Sequence, residues 1–148
     1  MWRPNRDFII DHLHSGGRAH RTFAPIFGTR PYQEFLSSGN KGCIELLDVS
    51  HFHFDLFGNY VPGLCSGLAV RWDDLGKRLS PERYPILNIL FHEGVGGLFY
   101  YVSREYDFEP SDGYMSKCHL CLDLRRHLVL EGEMRSRELQ PTAFYAYV

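Results

Sequence analysis

The sequence contains no run approaching the roughly 20 apolar residues that a membrane-spanning helix needs, so no membrane partner is expected. Its first residues, Met1-Trp2-Arg3-Pro4-Asn5-Arg6-Asp7, lack the apolar core of a secretion signal. The expected location is therefore the cytoplasm, a reducing compartment. Charge of one sign is not in excess either: 16 basic and 18 acidic side chains leave a formal net charge of −2. The basic residues are scattered, and no stripe of the kind that tracks a phosphate backbone is present, so no nucleic-acid partner is expected. The densest basic group, Arg125-Arg126-His127, reads as an exposed helix face. Internal repeats and low-complexity tracts are missing. So are several catalytic motifs: His92-Glu93 is not completed to H-E-x-x-H because position 96 is Gly, and Gly94-Val95-Gly96-Gly97 lacks the Lys-Ser/Thr of a phosphate loop. No G-x-S-x-G elbow occurs.

What is present is a chain of 148 residues, 44% apolar and 15% aromatic, with 11 Phe and 9 Tyr. That composition fills a compact core and excludes a disordered chain. Residues 6–14 have helical spacing, stopped by Gly16-Gly17, and 18–30 is a mixed stretch broken by Pro25, Gly28 and Pro31. Pro31 to Leu36 reads as one short helix ended by Ser37-Ser38-Gly39-Asn40. From 51 to 56 the order His, Phe, His, Phe, Asp, Leu alternates polar and apolar, a strand signal. Gly58-Asn59 supplies a turn, and Tyr60-Val61 a return strand that Pro62 confines to an edge. The spacing predicts a helix over 81–92, capped by Ser80 with Pro81 first, and a second over 98–106 beyond the glycines. A third starts near Ser116 and carries Leu120, Leu124 and Leu128 at fourfold spacing. The expected fold class is α+β, a β-hairpin with two to three helices, followed by a tail from 131 to 148.

Four cysteines, Cys43, Cys65, Cys118 and Cys121, are all the chain has. In a reducing compartment they read as metal ligands or catalytic thiols before disulfides. Cys118-His119-Leu120-Cys121 is a C-x-x-C where a helix begins. Its thiols point one way, and the free backbone N–H groups of the first turn favour their ionised form. Cys43 precedes the hairpin and Cys65 follows it, so antiparallel pairing brings these two together. The four thiolates suit Zn²⁺ or an iron–sulfur cluster. Apolar flanks, Leu64, Leu68, Leu120 and Leu122, and the 22-position spacing of the first pair favour the cluster. His119, between two ligands, is expected to face away from it. His51, His53 and Asp55 share a strand face and read as solvent-facing polar residues.

These residues resemble the C-terminal SPASM/twitch region of radical S-adenosylmethionine enzymes. The run is Cys43, fourteen residues, Gly58, six residues, Cys65, and later Cys118-x-x-Cys121. His53-Phe54-Asp55-Leu56-Phe57-Gly58-Asn59-Tyr60 is similar to that family's strand and turn. Gly16-Gly17-Arg18-Ala19 is similar to the Gly-Arg-Ala segment that ends its catalytic barrel. The resemblance spans about residues 16 to 128 and implies one auxiliary [4Fe–4S] cluster on Cys43, Cys65, Cys118 and Cys121. It divides the chain into a barrel remnant or linker (1–30), an auxiliary cluster domain (31–130) and the tail. The gap from Gly58 to Cys65 is longer than usual, and the cysteines are too few for a second cluster. No C-x-x-x-C-x-x-C motif occurs, so S-adenosylmethionine belongs to a parent enzyme. This chain is expected to be inactive alone, a fragment or one half of a split system, with a barrel as its partner in cis or in trans.

Overall fold

The computed structural model describes residues 17–36, 41–51 and 53–148; the helix expected over 6–14 and the stop at 37–40 lie outside these. Helices α1 (Ala19–Phe27) and α2 (Tyr32–Leu36) come first, then a 3-10 turn at Ile44–Leu47. Strand β1 (Asn59–Tyr60), a second 3-10 turn (Pro62–Leu64), strand β2 (Val70–Arg71) and a third such turn (Trp72–Asp74) follow. Helices α3 (Pro85–Tyr106), α4 (Lys117–Leu130) and α5 (Thr142–Tyr145) complete the chain. β1 and β2 are antiparallel, with Asn59 opposite Arg71 and Tyr60 opposite Val70. The architecture is mixed helix and small sheet, compatible with α+β. Among the described residues it has five α-helices, more than the two or three expected.

The core forms where α3 packs on α4, with α2 against α3 and α5 against α4. The leucine stripe of α4 is fully buried at Leu120, Leu124 and Leu128. Leu122, Arg125 and Val129 are buried too, so α4 is enclosed on more than one face. α3 contributes Ile86, Leu87, Leu90, Leu98, Phe99 and Val102. It begins at Pro85, not at Pro81; residues 81–83 form a turn in which Arg83 and Tyr84 donate N–H to Ser80 O. The fixed φ of proline suits the first helical position. Tyr84 lacks a capping side chain, and that role falls to a distant one. Both carboxylate oxygens of Glu138 accept from α3, one from Ile86 N and one from Leu87 N, each at 2.7 Å. Two of the helix's four orphan N–H groups are thereby met, by an anion placed at the positive end of the helix.

Two further expectations are corrected. Among the described residues of 51–56 the expected strand shrinks to a single bridge, Phe54 to Tyr60. The cause is Asp55, whose carboxylate accepts the N–H groups of Phe57 and Asn59 at 2.8 and 2.9 Å and turns the chain early. The hairpin survives in short form, with Asp55 N donating to Asn59 O and Val61 N to His53 O. The mixed stretch at 18–30 is largely helical, since α1 runs through Pro25. The polar tail docks: Leu139 bridges Leu68, and Tyr145 is fully buried. No helix among the described residues is long and apolar enough to cross a membrane.

Burial pushes the Glu138 carboxyl up to about 7, against the downward pull of the two N–H donors. Its ionisation is therefore harder in the folded chain than in the unfolded one, and this residue's contribution to stability declines as pH rises from 4.5 to about 7. Asp74 has the opposite sign. A hydrogen bond from Tyr84, then the charges of Arg83 and Arg137, hold it below the usual carboxylate range, so its contribution is lost as the solution becomes acidic. Glu138→Gln sets an NH₂ against one of the backbone N–H groups. We expect it to cost about 1–3 kcal/mol and to flatten the pH dependence between 4.5 and about 7, measured by urea unfolding across that range.

Candidate functional site

The first pair of cysteines is brought together by two 3-10 turns. Cys43 immediately precedes Ile44–Leu47, and Cys65 immediately follows Pro62–Leu64. The turns pack directly on each other. Gly63 (φ 56°) makes the closest approach: a Cβ there would lie 2.1 Å from Glu45 O. The same stretch, 41–43, is pressed into a break in α3 at Gly94, where φ is 68° and ψ −160°. A Cβ on Gly94 would meet Lys41 O at 2.5 Å, and one on Gly42 would meet Phe91 O at 1.7 Å. Cys43 N donates at 2.8 Å to Leu90 O, the carbonyl that position 94 would use in an unbroken helix. The break thus gives the Cys43 backbone its partner. Gly96 and Gly97, expected to help separate two helices, lie inside one.

The second pair sits at the start of α4. Ser116 is the N-cap as expected, its Oγ accepting from His119 N at 3.3 Å. Cys118 and Cys121 face the first pair, and His119 turns the other way. His119 stacks on His20 with ring centroids 4.2 Å apart and lines a separate cavity. Burial, then the charge of His20, lowers its pKa to about 4. Lys117 reaches back to Glu45, with Nζ 3.4 Å from Oε1, and so ties the C-x-x-C helix to the turn after Cys43.

All four cysteines line one cavity of about 480 Å³, with Phe35, Leu46, Leu64, Leu90 and Val95 in its walls. No disulfide joins them. Burial pushes the thiols of Cys65 and Cys118 up to about 12, and each is raised further by the other cysteines. Cys121 is raised as well, burial again leading. Left empty, the cavity therefore favours protonated thiols at these three positions. A metal centre bound by these thiols would have to displace their protons, so its binding would be pH-dependent. Among the described residues, no three His, Cys, Asp or Glu side chains gather closely enough to share one metal ion. The thiols stand around the walls of a cavity.

Arg125 also lines this cavity, and the reading of Arg125-Arg126-His127 as an exposed face is corrected here: Arg125 is only 2% exposed. Its Nε donates to Cys121 O at 3.2 Å, and its Nη1 to Ser66 O at 2.9 Å and to Tyr145 Oη at 3.2 Å. One guanidinium is thus bonded to backbone beside Cys65 and at Cys121. The signal for this in the sequence was the fourfold spacing from Cys121, which puts both on one helix face. His51 and His53 are exposed, and the Asp55 carboxylate is committed to its turn.

Gly63→Ala forces a side chain into Glu45 O at a positive φ. It should destabilise the chain by about 2–4 kcal/mol, read by thermal unfolding. Comparison with known proteins adds no relative: no family model, no curated protein and no solved structure matches the chain.

Proposed function

We propose that the chain holds an iron–sulfur cluster on Cys43, Cys65, Cys118 and Cys121, as the auxiliary-cluster region of a radical S-adenosylmethionine enzyme. The observation that carries this reading is the convergence of the chain's four cysteines, from three separate segments, on the walls of one cavity. The donor set fits the group: it consists of four thiols, the ligands such clusters take, and the walls are otherwise largely apolar. A cluster whose thiolates bind different irons uses a roomy cavity, whereas one Zn²⁺ needs all four sulfurs at about 2.3 Å from a single point. The turn resembling the family's supports the same reading, since Asp55 and Asn59 build it through 2.9 Å hydrogen bonds.

With every iron held by a protein thiolate, the cluster has no open position for substrate, and it supplies electron transfer or structural support. The residues of this chain position and enclose it: the turns carry one pair, α4 the other, and Lys117 with Glu45 links the two. A radical S-adenosylmethionine barrel, in cis or in trans, is the proposed partner. Ile44 and Leu47 line the cavity yet are 67% and 58% exposed, apolar surface that a partner over the cavity mouth would cover.

Anaerobic reconstitution with iron and sulfide should give a brown protein with broad absorption near roughly 400 nm and four irons and four sulfides per chain. A colourless protein with one zinc per chain supports instead a structural zinc module without a redox role, and no metal at all overturns both readings. Cys118→Ser or Cys121→Ser should lose most of the bound metal and lower the melting temperature of the loaded protein, because site assembly and folding are coupled. A variant with unchanged metal content removes that cysteine from the ligand set.

A further inference from the structure

We propose that Arg125 is the countercharge of the cysteine cavity, the residue that makes a net-negative, thiolate-bound centre stable there; this rests on the cluster reading above. Among the described residues, Arg125 lacks an ionic partner. It is 2% exposed, and a buried guanidinium is costly unless an anion stands near it. Its hydrogen-bond partners are two carbonyls and a hydroxyl, Cys121 O, Ser66 O and Tyr145 Oη. The Tyr145 ring lies 5.9 Å from the guanidinium carbon. All of these are neutral groups, which fix orientation and leave the charge uncompensated. Among the described residues, no carboxylate forms an ion pair with it.

The other buried charges are treated differently. Asp74 is met by Arg83 at 2.8 Å and Arg137 at 3.1 Å. Glu138 sits on the N-terminus of α3. Arg125 faces the cysteine cavity, and there the missing anion has a source. Four thiolates outweigh the charge of an oxidised cubane core by two, so the loaded centre is negative and needs a cation at low dielectric. Lys41 and Lys117 are the other cations lining the cavity, but Lys41 is exposed, and the Lys117 side chain is 42% exposed and already paired with Glu45. The guanidinium also bonds to both halves of the site, beside Cys65 and at Cys121, so its position is fixed relative to whatever the thiols hold. A fixed positive charge favours the added electron and holds the reduction potential higher than a neutral residue would.

The test uses the full chain, reconstituted anaerobically with iron and sulfide, as wild type, Arg125→Gln and Arg125→Lys. Gln removes the charge; Lys keeps it and loses the forked geometry. Arg125→Gln should shift the midpoint potential of the cluster downward and speed cluster loss to an iron chelator, while Arg125→Lys keeps a midpoint close to wild type. An unchanged midpoint in Arg125→Gln, or equal shifts in both variants, overturns the countercharge assignment. If Arg125→Gln yields no folded protein, Arg125→Lys decides: it must retain its irons at the wild-type potential, and a folded but cluster-free Lys variant overturns the proposal. A wild-type chain that takes up no iron overturns the cluster reading and this one with it, a failure distinct from an unchanged midpoint.

Discussion

The cysteine cavity depends on one backbone contact, the seating of residues 41–43 in the break of α3. An unbroken helix would present side chains at this level and would spend the Leu90 carbonyl on its own ladder. With Gly94 at positive φ, a conformation L side chains rarely adopt, the helix opens. Lys41 O comes against Gly94, Gly42 lies on Phe91 O, and Cys43 N takes Leu90 O. From there the position of Cys65 follows, because the turn carrying it rests on the turn that follows Cys43. The two approaches are too close for any side chain, so the thiols are placed by backbone on backbone, the least deformable contact available in a protein.

A second layer of order comes from the C-terminal segment, which ties the elements around this contact. Glu138 caps α3 across more than fifty positions of chain. Arg137 joins Arg83 on Asp74, and Tyr145 bonds both Arg125 and Gly67 O, the latter at 2.6 Å. A segment that reads as polar in sequence is therefore a strap. Two of its charged residues, Arg137 and Glu138, reach defined partners, and Tyr145 closes the core. The cost of burying them is offset because each finds donors or an opposite charge, with Arg125 left facing the thiols.

Local signals were legible and distant ones were not. Ser116 at the cap, the three leucines of α4, the short helix after Pro31 and the turn at Gly58 all depend on neighbours within four or five residues, and all are present. The start of α3 was misplaced because Ser80-Pro81 carries the same local signal as Pro85, and the choice between them is made by Glu138, 52 positions from Ile86. The strand at 51–56 failed for a related reason. Alternation predicts a strand only where one face has a core to meet, and Phe54 and Leu56 are 52% and 101% exposed. For the site, the meeting of Cys43 with Cys65 was foreseen by a hairpin and is achieved by paired 3-10 turns. Arg125 was missed because adjacent arginines read as a solvated face until the helix is seen to be enclosed.

These observations describe a small scaffold that gathers four thiols around a cavity and sets a fixed positive charge beside them, with apolar residues exposed at the opening. The central claim is that all four sulfurs bind one multinuclear centre. Iron X-ray absorption of the anaerobically reconstituted chain tests it most directly. The account predicts iron surrounded by sulfur alone, with a short iron–iron shell that disappears when Cys43 and Cys118 are both replaced by Ser. Iron bound through oxygen or nitrogen, with no iron–iron shell in the wild-type chain, would contradict it.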